Sequence, residues 1–342
     1  MKRVIVVGGC GFFGAATADA LRREGQRVLV ASRRASADLR MDAEDAGSIR
    51  AVLAPGDVVI DAAGPFQRRS TTLVEVCLSI GGDVIDLADS LDYVSNVQAL
   101  GSRVAAARSR VLTACSSVSA VSAALVRLTG VEAPVRVSTF LAPATRNTST
   151  PATTWSFFSA IGRDVRVLRD GALVQHPAFG NTRALTFPQP VGPVSAGLAE
   201  SADAIVLPRV WPTLRYVDFW VDARRSVFNR ILGAAARMPP VLSLVRALEP
   251  VGRPLAKLVG ARSGGFAVVV EDADGRRTAA GFVHAAHSYL VAVAPAILAA
   301  RRLAADSFKA TGCVPADQHV DPFELREWLG RAGVSYFETR WT

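Results

Sequence analysis

Short unbroken apolar runs alternate with amphipathic stretches over the first third of the chain. Val4–Val7 is such a run, followed by a cluster of glycines and then by apolar positions at helical spacing over Ala15–Arg23. Val28–Ala31, Val58–Ala62, Asp83–Leu87 and Val111–Ala114 read as further strands, with Leu73–Ile80 and Val97–Arg108 as helices between them. Apolar strands separated by helices predict a parallel sheet covered on both faces, the doubly wound α/β arrangement. From about residue 131 the pattern changes. Val135–Leu141 alternates as an antiparallel strand does, and Thr145–Thr154 reads as a Ser/Thr-rich loop. Val165–Leu168, Arg183–Phe187, Tyr216–Val221 and Phe266–Glu271 read as strands. Asp272-Ala273-Asp274-Gly275 predicts a turn whose return strand is Arg277–Val283. Val227–Leu258 reads as a proline-punctuated helical region, and Tyr289–Ala304 and Phe323–Arg331 as the closing helices. The predicted organisation is an α/β domain over residues 1–130 and an α+β domain with a mixed or antiparallel sheet over 131–284. Residues 285–342 are expected to pack back on the first domain.

A chain of 342 residues exceeds the ~250–300 that one core usually supports, in keeping with two domains. Four cysteines (Cys10, Cys77, Cys115, Cys313) form no CxxC pair, so reduced thiols and a cytoplasmic setting are the simpler expectation. The opening Met1-Lys2-Arg3 and the apolar run behind it are too short for a signal sequence. No segment reaches the ~18–20 apolar residues of a spanning helix. The net charge of +9 is almost all arginine, with three lysines in the chain. Eight basic residues against two acidic fall within Val221–Arg262, interleaved with apolar ones. A helical cover with solvated arginines is the favoured reading, and peripheral contact with an anionic membrane is the other. A nucleic-acid partner finds no reader motif.

Gly9-Cys10-Gly11-Phe12-Phe13-Gly14 matches G-x-G-x-x-G directly after a buried strand and at the start of a helix. There the glycines allow a tight turn, close approach to a pyrophosphate and close packing of the helix on the strand. The helix N-terminus attracts the phosphate charge. The context makes this a Rossmann-type dinucleotide site. The second strand ends in Ser32-Arg33-Arg34 where an acidic residue would bind a ribose 2′-hydroxyl. Guanidinium groups suit a 2′-phosphate instead, so NADP(H) is the expected cofactor. Asp42 either meets the adenine edge or caps the next helix. Ala63-Gly64-Pro65-Phe66 follows the next strand, where small residues let backbone amides reach the cofactor's nicotinamide side. Asp86 and Asp89 follow another strand, as helix caps or as substrate contacts.

These pieces resemble the saccharopine dehydrogenase-like NADP-binding oxidoreductases. The resemblance rests on Gly8–Gly14, Ser32-Arg33, Ala63–Phe66, Val74-Glu75-Val76-Cys77 and Gly81-Gly82-Asp83-Val84-Ile85-Asp86-Leu87, and continues more loosely to Gly312-Cys313-Val314-Pro315. It implies a Rossmann domain, a substrate domain with a mixed sheet, and hydride transfer with NADP. Asp89-Ser90 and Val118-Ser119 depart from the family's pattern, and saccharopine itself is not implied. No Tyr-x-x-x-Lys pair exists for short-chain dehydrogenase chemistry, and no metal-binding or serine-hydrolase motif is present. Reduction of a C=N, C=O or C=C bond in a small or lipidic substrate needs a proton donor, for which His287, Cys115, Ser116 and Asp89 are the candidates. His176 and His319 read as loop residues. The alternative is a non-catalytic NADPH-binding, membrane-associated protein. A homodimer stays open.

Overall fold

The computed structural model describes residues 2–224 and 257–341, with positions 231, 233, 234, 238, 240, 241, 243 and 247 between them. The expectations for the basic stretch Val221–Arg262 fall mostly on residues 225–256, largely outside the described residues. Two compact units are present: one holds the chain up to Val121 with Ala292–Asp321, the other Ser122–Val291 with the chain from Pro322.

In the first unit, β1 (Val4–Val7), β2 (Val28–Ser32), β3 (Leu39–Arg40), β4 (Val58–Asp61), β5 (Asp83–Asp86) and β6 (Arg110–Leu112) form a sheet with β15 (Gly312–Cys313). The order is β15-β6-β5-β4-β1-β2-β3, and every pairing is parallel. Val4, Ile5, Val6, Val58, Val59 and Ile60 have no exposed surface. A central strand covered on both faces leaves no place for polar side chains, which is why these runs are unbroken in the sequence. Helices α1 (Phe12–Arg23), α2 (Ala46–Val52), α3 (Thr72–Ser79), α4 (Leu91–Ala99) and α5 (Gly101–Ala107) make the crossovers. The stretch 97–108 is thus two helices rather than one. They meet at Leu100, beside Gly101, a poor helix former.

The second unit is built on β7 (Arg136–Ala142), β8 (Asp164–Arg169), β9 (Ala172–Pro177), β10 (Thr182–Thr186), β11 (Pro193–Ala199), β12 (Tyr216–Val221), β13 (Gly264–Glu271), β14 (Arg277–His284) and β16 (Ser335–Trp341). The main path is β10-β11-β12-β7-β13-β14-β16, and β8 joins β12 and β9. β7 pairs parallel with β12 and antiparallel with β13, so the sheet is mixed. Phe140, Trp220, Val165, Val167, Phe179 and Phe187 lead the core on one face. The Ser/Thr-rich stretch is not a loop. Thr150 and Thr153 exchange side-chain and backbone hydrogen bonds as a capping box at the start of the helix Pro151–Ala160. The segment after residue 284 is shared out: β15 joins the first sheet and β16 the second. Among the described residues no helix is long and apolar enough to cross a membrane.

Candidate functional site

The turn between β1 and α1 is held by its own backbone. Gly8 N–H donates to Ala31 O at 2.9 Å, and Gly11 N–H to Gly8 O at 2.8 Å. The left-handed residue is Gly8, with φ of 74°, one position before the motif's first glycine. A Cβ on Gly8 would lie 2.8 Å from the Ala63 backbone, and one on Gly9 2.7 Å from Val30 Cγ1. A Cβ on Gly14 would lie 2.4 Å from Gly8 O. Gly11 caps α1 without any side-chain hydrogen bond, and no acidic residue stands in the helix's first turn. The positive end of the α1 dipole therefore meets no side-chain carboxylate from its own first turn, and a helix start of this kind attracts an anion. Phe12 and Phe13 are half-buried, with their rings edge to face at 5.2 Å. Cys10 is half-buried in the turn, and its carbonyl accepts from Arg34 Nη1 at 3.3 Å.

Ser32 ends β2, and its hydroxyl accepts from Arg34 N–H at 3.3 Å. Arg33 and Arg34 are exposed beside it. Asp42 does not cap α2. Its carboxylate takes the Glu44 amide at 3.0 Å, and the cap is Asp45, which accepts from Gly47 and Ser48. Asp42 thereby shapes the loop after β3.

The turn after β4 is fastened by a group that sequence reasoning missed. Asp61 is fully buried and accepts from Ala63 N–H at 2.9 Å. Arg69 reaches it through Nη2 at 3.0 Å, and donates from Nη1 to Ala63 O at 2.7 Å. Its Nε pairs with Glu44, which also accepts from the Ser70 hydroxyl at 2.7 Å. Burial opposes the Arg69 charge, but Asp61 and Glu44 outweigh it and raise its pKa. Burial likewise opposes the Glu44 carboxylate, but bonds from Ser70 and Arg69 hold its pKa below the usual value. Gly64 stays exposed, with Ala63 and Pro65 half-buried. Phe66 is different: its ring is buried against Tyr93, at 5.0 Å between centroids. It supports the turn from inside rather than facing a ligand.

At the end of β5 the cap of α4 is Ser90, not an aspartate. Asp86 is fully buried and accepts from Ala88 N–H at 3.1 Å and Ala114 N–H at 2.8 Å, joining β5 to the end of β6. Burial pushes its pKa up to about 7, against these two bonds. The neutral carboxyl is therefore favoured in the folded chain up to about pH 7, against about pH 4 in an unfolded one. The associated stability is full below about pH 4 and is lost as pH rises through about 7. Asp86→Asn keeps an acceptor and removes the titration. Between about pH 4 and 7 the wild type is expected to lose stability on this account, by on the order of a few kcal/mol, with a falling thermal midpoint, while the midpoint of the variant stays level. Equal slopes in thermal melts would refute the assignment.

Asp89 is exposed and accepts from Gln67 Nε2 at 3.2 Å, so it lies beside the turn after β4. Cys115 is fully buried, and burial with nearby Asp86 raises its thiol pKa well above normal. A sealed, protonated thiol supplies neither thiolate nor contact with substrate. Ser116 is also buried, and its hydroxyl donates to Ala292 O at 2.9 Å. His319 does lie in a loop, in the bend after Ala316–Gln318, but is fully buried there, and burial lowers its pKa to about 4; His176 is not a loop residue but part of β9. His287 belongs to the second unit and is exposed. Its amide donates to His284 Nδ1 at 2.7 Å, and its ring stacks on His284 and meets Tyr289 edge-on. Among the described residues no group of three or more metal-ligating side chains exists.

Residues 4–118 match the family model described as the saccharopine dehydrogenase NADP binding domain. A comparison with curated protein sequences finds no match. Among solved structures, apo saccharopine dehydrogenase (L-Glu forming) from Saccharomyces cerevisiae is 13% identical over 100% of both chains, with a TM-score of 0.65. That likeness is one of fold. GenD2 from gentamicin A biosynthesis, in complex with NAD, is 14% identical over 100% of this chain and 96% of its own, at a TM-score of 0.43. UDP-N-acetylglucosamine 3-dehydrogenase from Acidithiobacillus ferrooxidans is 10% identical over 95% of each, at 0.42.

Proposed function

Residues 4–118 being a saccharopine dehydrogenase-type NADP-binding domain, with NADP(H) as its cofactor, we propose that the chain is an NADPH-dependent oxidoreductase. It would deliver hydride to a C=N, C=O or C=C bond of a small or lipidic substrate. The observation that carries this reading is the turn between β1 and α1: three glycines leave no room for a Cβ, and the helix behind them starts without a side-chain cap or an acidic residue in its first turn. When bound, NADPH supplies the hydride. The chain's own residues position it. Gly9, Cys10, Gly11 and Gly14 cradle the pyrophosphate, Ser32, Arg33 and Arg34 take the 2′-phosphate, and Ala63, Gly64 and Pro65 border the nicotinamide side. Of the proton donors suggested by the sequence, Asp89 and His287 reach solvent. His287 is the better suited, since an imidazole ring can both donate and accept a hydrogen bond.

Loss of NADPH absorbance on adding imine, carbonyl and enoyl substrates tests the reaction. NADPH bound without turnover of any of them would favour the non-catalytic alternative, which the sealing of Cys115 and the engagement of Ser116 support. The cofactor assignment has its own test. Arg33→Ala with Arg34→Ala is expected to weaken NADPH about tenfold to a hundredfold, while NADH affinity changes little. Fluorescence titration measures both, and an equal effect on the two cofactors would remove the 2′-phosphate role.

A further inference from the structure

The sheet of the second unit carries an excess of guanidinium groups on one face. Arg136 on β7 stands opposite Tyr216 on β12 and Glu271 on β13, and Glu271 stands opposite Arg277 on β14. Ser138, two positions along β7, lies on the same face as Arg136. Arg183 extends from β10 to donate to Ser138 Oγ at 2.5 Å, and its guanidinium lies 5.9 Å from the Phe140 ring centroid. Arg169 comes from β8 to meet Asp218 at 3.0 Å.

Each carboxylate in this group serves two arginines. Glu271 Oε2 is 3.0 Å from Arg277 and 3.9 Å from Arg136. Asp218 pairs with Arg169 and lies 3.7 Å from Arg183, while its Oδ1 also accepts from Trp220 Nε1 at 2.6 Å. Four guanidinium charges therefore face two carboxylates. Among the described residues, Arg183 Nε and Nη2 have no partner, and Arg136 has only its long contact to Glu271 and the Tyr216 ring beneath it. Burial, together with the charges of Arg136 and Arg277, lowers the Arg183 pKa despite Asp218. A half-buried cation surrounded by further cations is relieved by an anion, and a planar guanidinium presents paired donors to an oxyanion.

We propose that Arg136, Arg183 and Arg277 form a binding site for the carboxylate or phosphate group of a small molecule on the sheet of the second unit. The site does not depend on the NADPH reading, because all its residues lie outside the cofactor domain. Asp218 and Glu271 orient the guanidinium groups, and Ser138 fixes the reach of Arg183. Carboxylate and phosphate oxygens share this chemistry, so the test uses both.

Inorganic phosphate and succinate are titrated against the Arg33→Ala/Arg34→Ala protein by calorimetry, at ionic strength held constant with chloride. Removing the two cofactor-domain arginines prevents the proposed 2′-phosphate site from reporting. At least one anion is expected to bind with a dissociation constant of about a millimolar or below. Binding of phosphate alone identifies a phosphate-bearing ligand, and of succinate alone a carboxylate. Arg183→Gln in the same background is expected to weaken binding at least about tenfold, with Arg183→Lys between the two. Arg277, which is more exposed, provides a second variant: Arg277→Gln is expected to weaken binding about threefold or more without loss of folding. No binding of either anion overturns the proposal, as does affinity unchanged in both glutamine variants.

Discussion

Replacement of Gly14 by alanine is expected to weaken NADPH binding about a hundredfold and to lower the stability of the first unit by ~1–3 kcal/mol. The added methyl would lie 2.4 Å from Gly8 O, 2.8 Å from Gly8 C and 2.8 Å from Gly9 Cα. All three are backbone atoms, so no side chain can rotate away. Relief requires α1 to move off β1, and the amides of its first turn move with it. The contrast is Gly101→Ala at the start of α5, where a Cβ meets nothing within 4 Å. That change is expected to be neutral or to stabilise by ~0.4–1 kcal/mol. Fluorescence titration and urea melts on both variants measure the difference. A Gly14→Ala protein that binds NADPH like the wild type would mean the turn does not hold the pyrophosphate.

Arg69→Ala is expected to destabilise the first unit by ~3–5 kcal/mol, because it leaves Asp61 charged and buried without its counter-ion. The same change frees Ala63 O and Glu44, so the turn that borders the cofactor loses its brace. NADPH affinity should therefore fall even at temperatures where the variant is fully folded. Asp61→Asn combined with Arg69→Met removes both charges and should recover stability but not affinity. A double-mutant cycle in urea separates the two effects. An Arg69→Ala protein of wild-type stability would show that the pair is hydrated and contributes nothing.

The parts that could be read along the chain share one property: their signal is local. The run of β1, the glycine turn and the helix behind it follow one another directly, and so do the Asp272–Gly275 turn and its return strand. The Asp61–Arg69–Glu44 brace brings together residues from two loops, and no spacing rule links them. Asp61-Ala62-Ala63 does hold the signal of an aspartate bonding the amide two residues on. Burial was the other obstacle. Cys115 and Ser116 stand at a strand end where ligands gather in this fold class, yet the chain seals both. Phe66 sits in the same position and turns inward. In the Ser/Thr-rich segment, the threonine at 153 takes the place a glutamate usually fills in a capping box, so the helix start at Thr150 went unseen.

Both sheets receive an edge strand from the end of the chain. β15 pairs with β6, and β16 pairs with β14 across seven residue positions. During synthesis, β6 is therefore made some two hundred residues before the strand that covers it. Until residues 312–341 emerge, β6 and β14 would each present unpaired amides and carbonyls to other nascent chains, a hazard that molecular chaperones exist to contain.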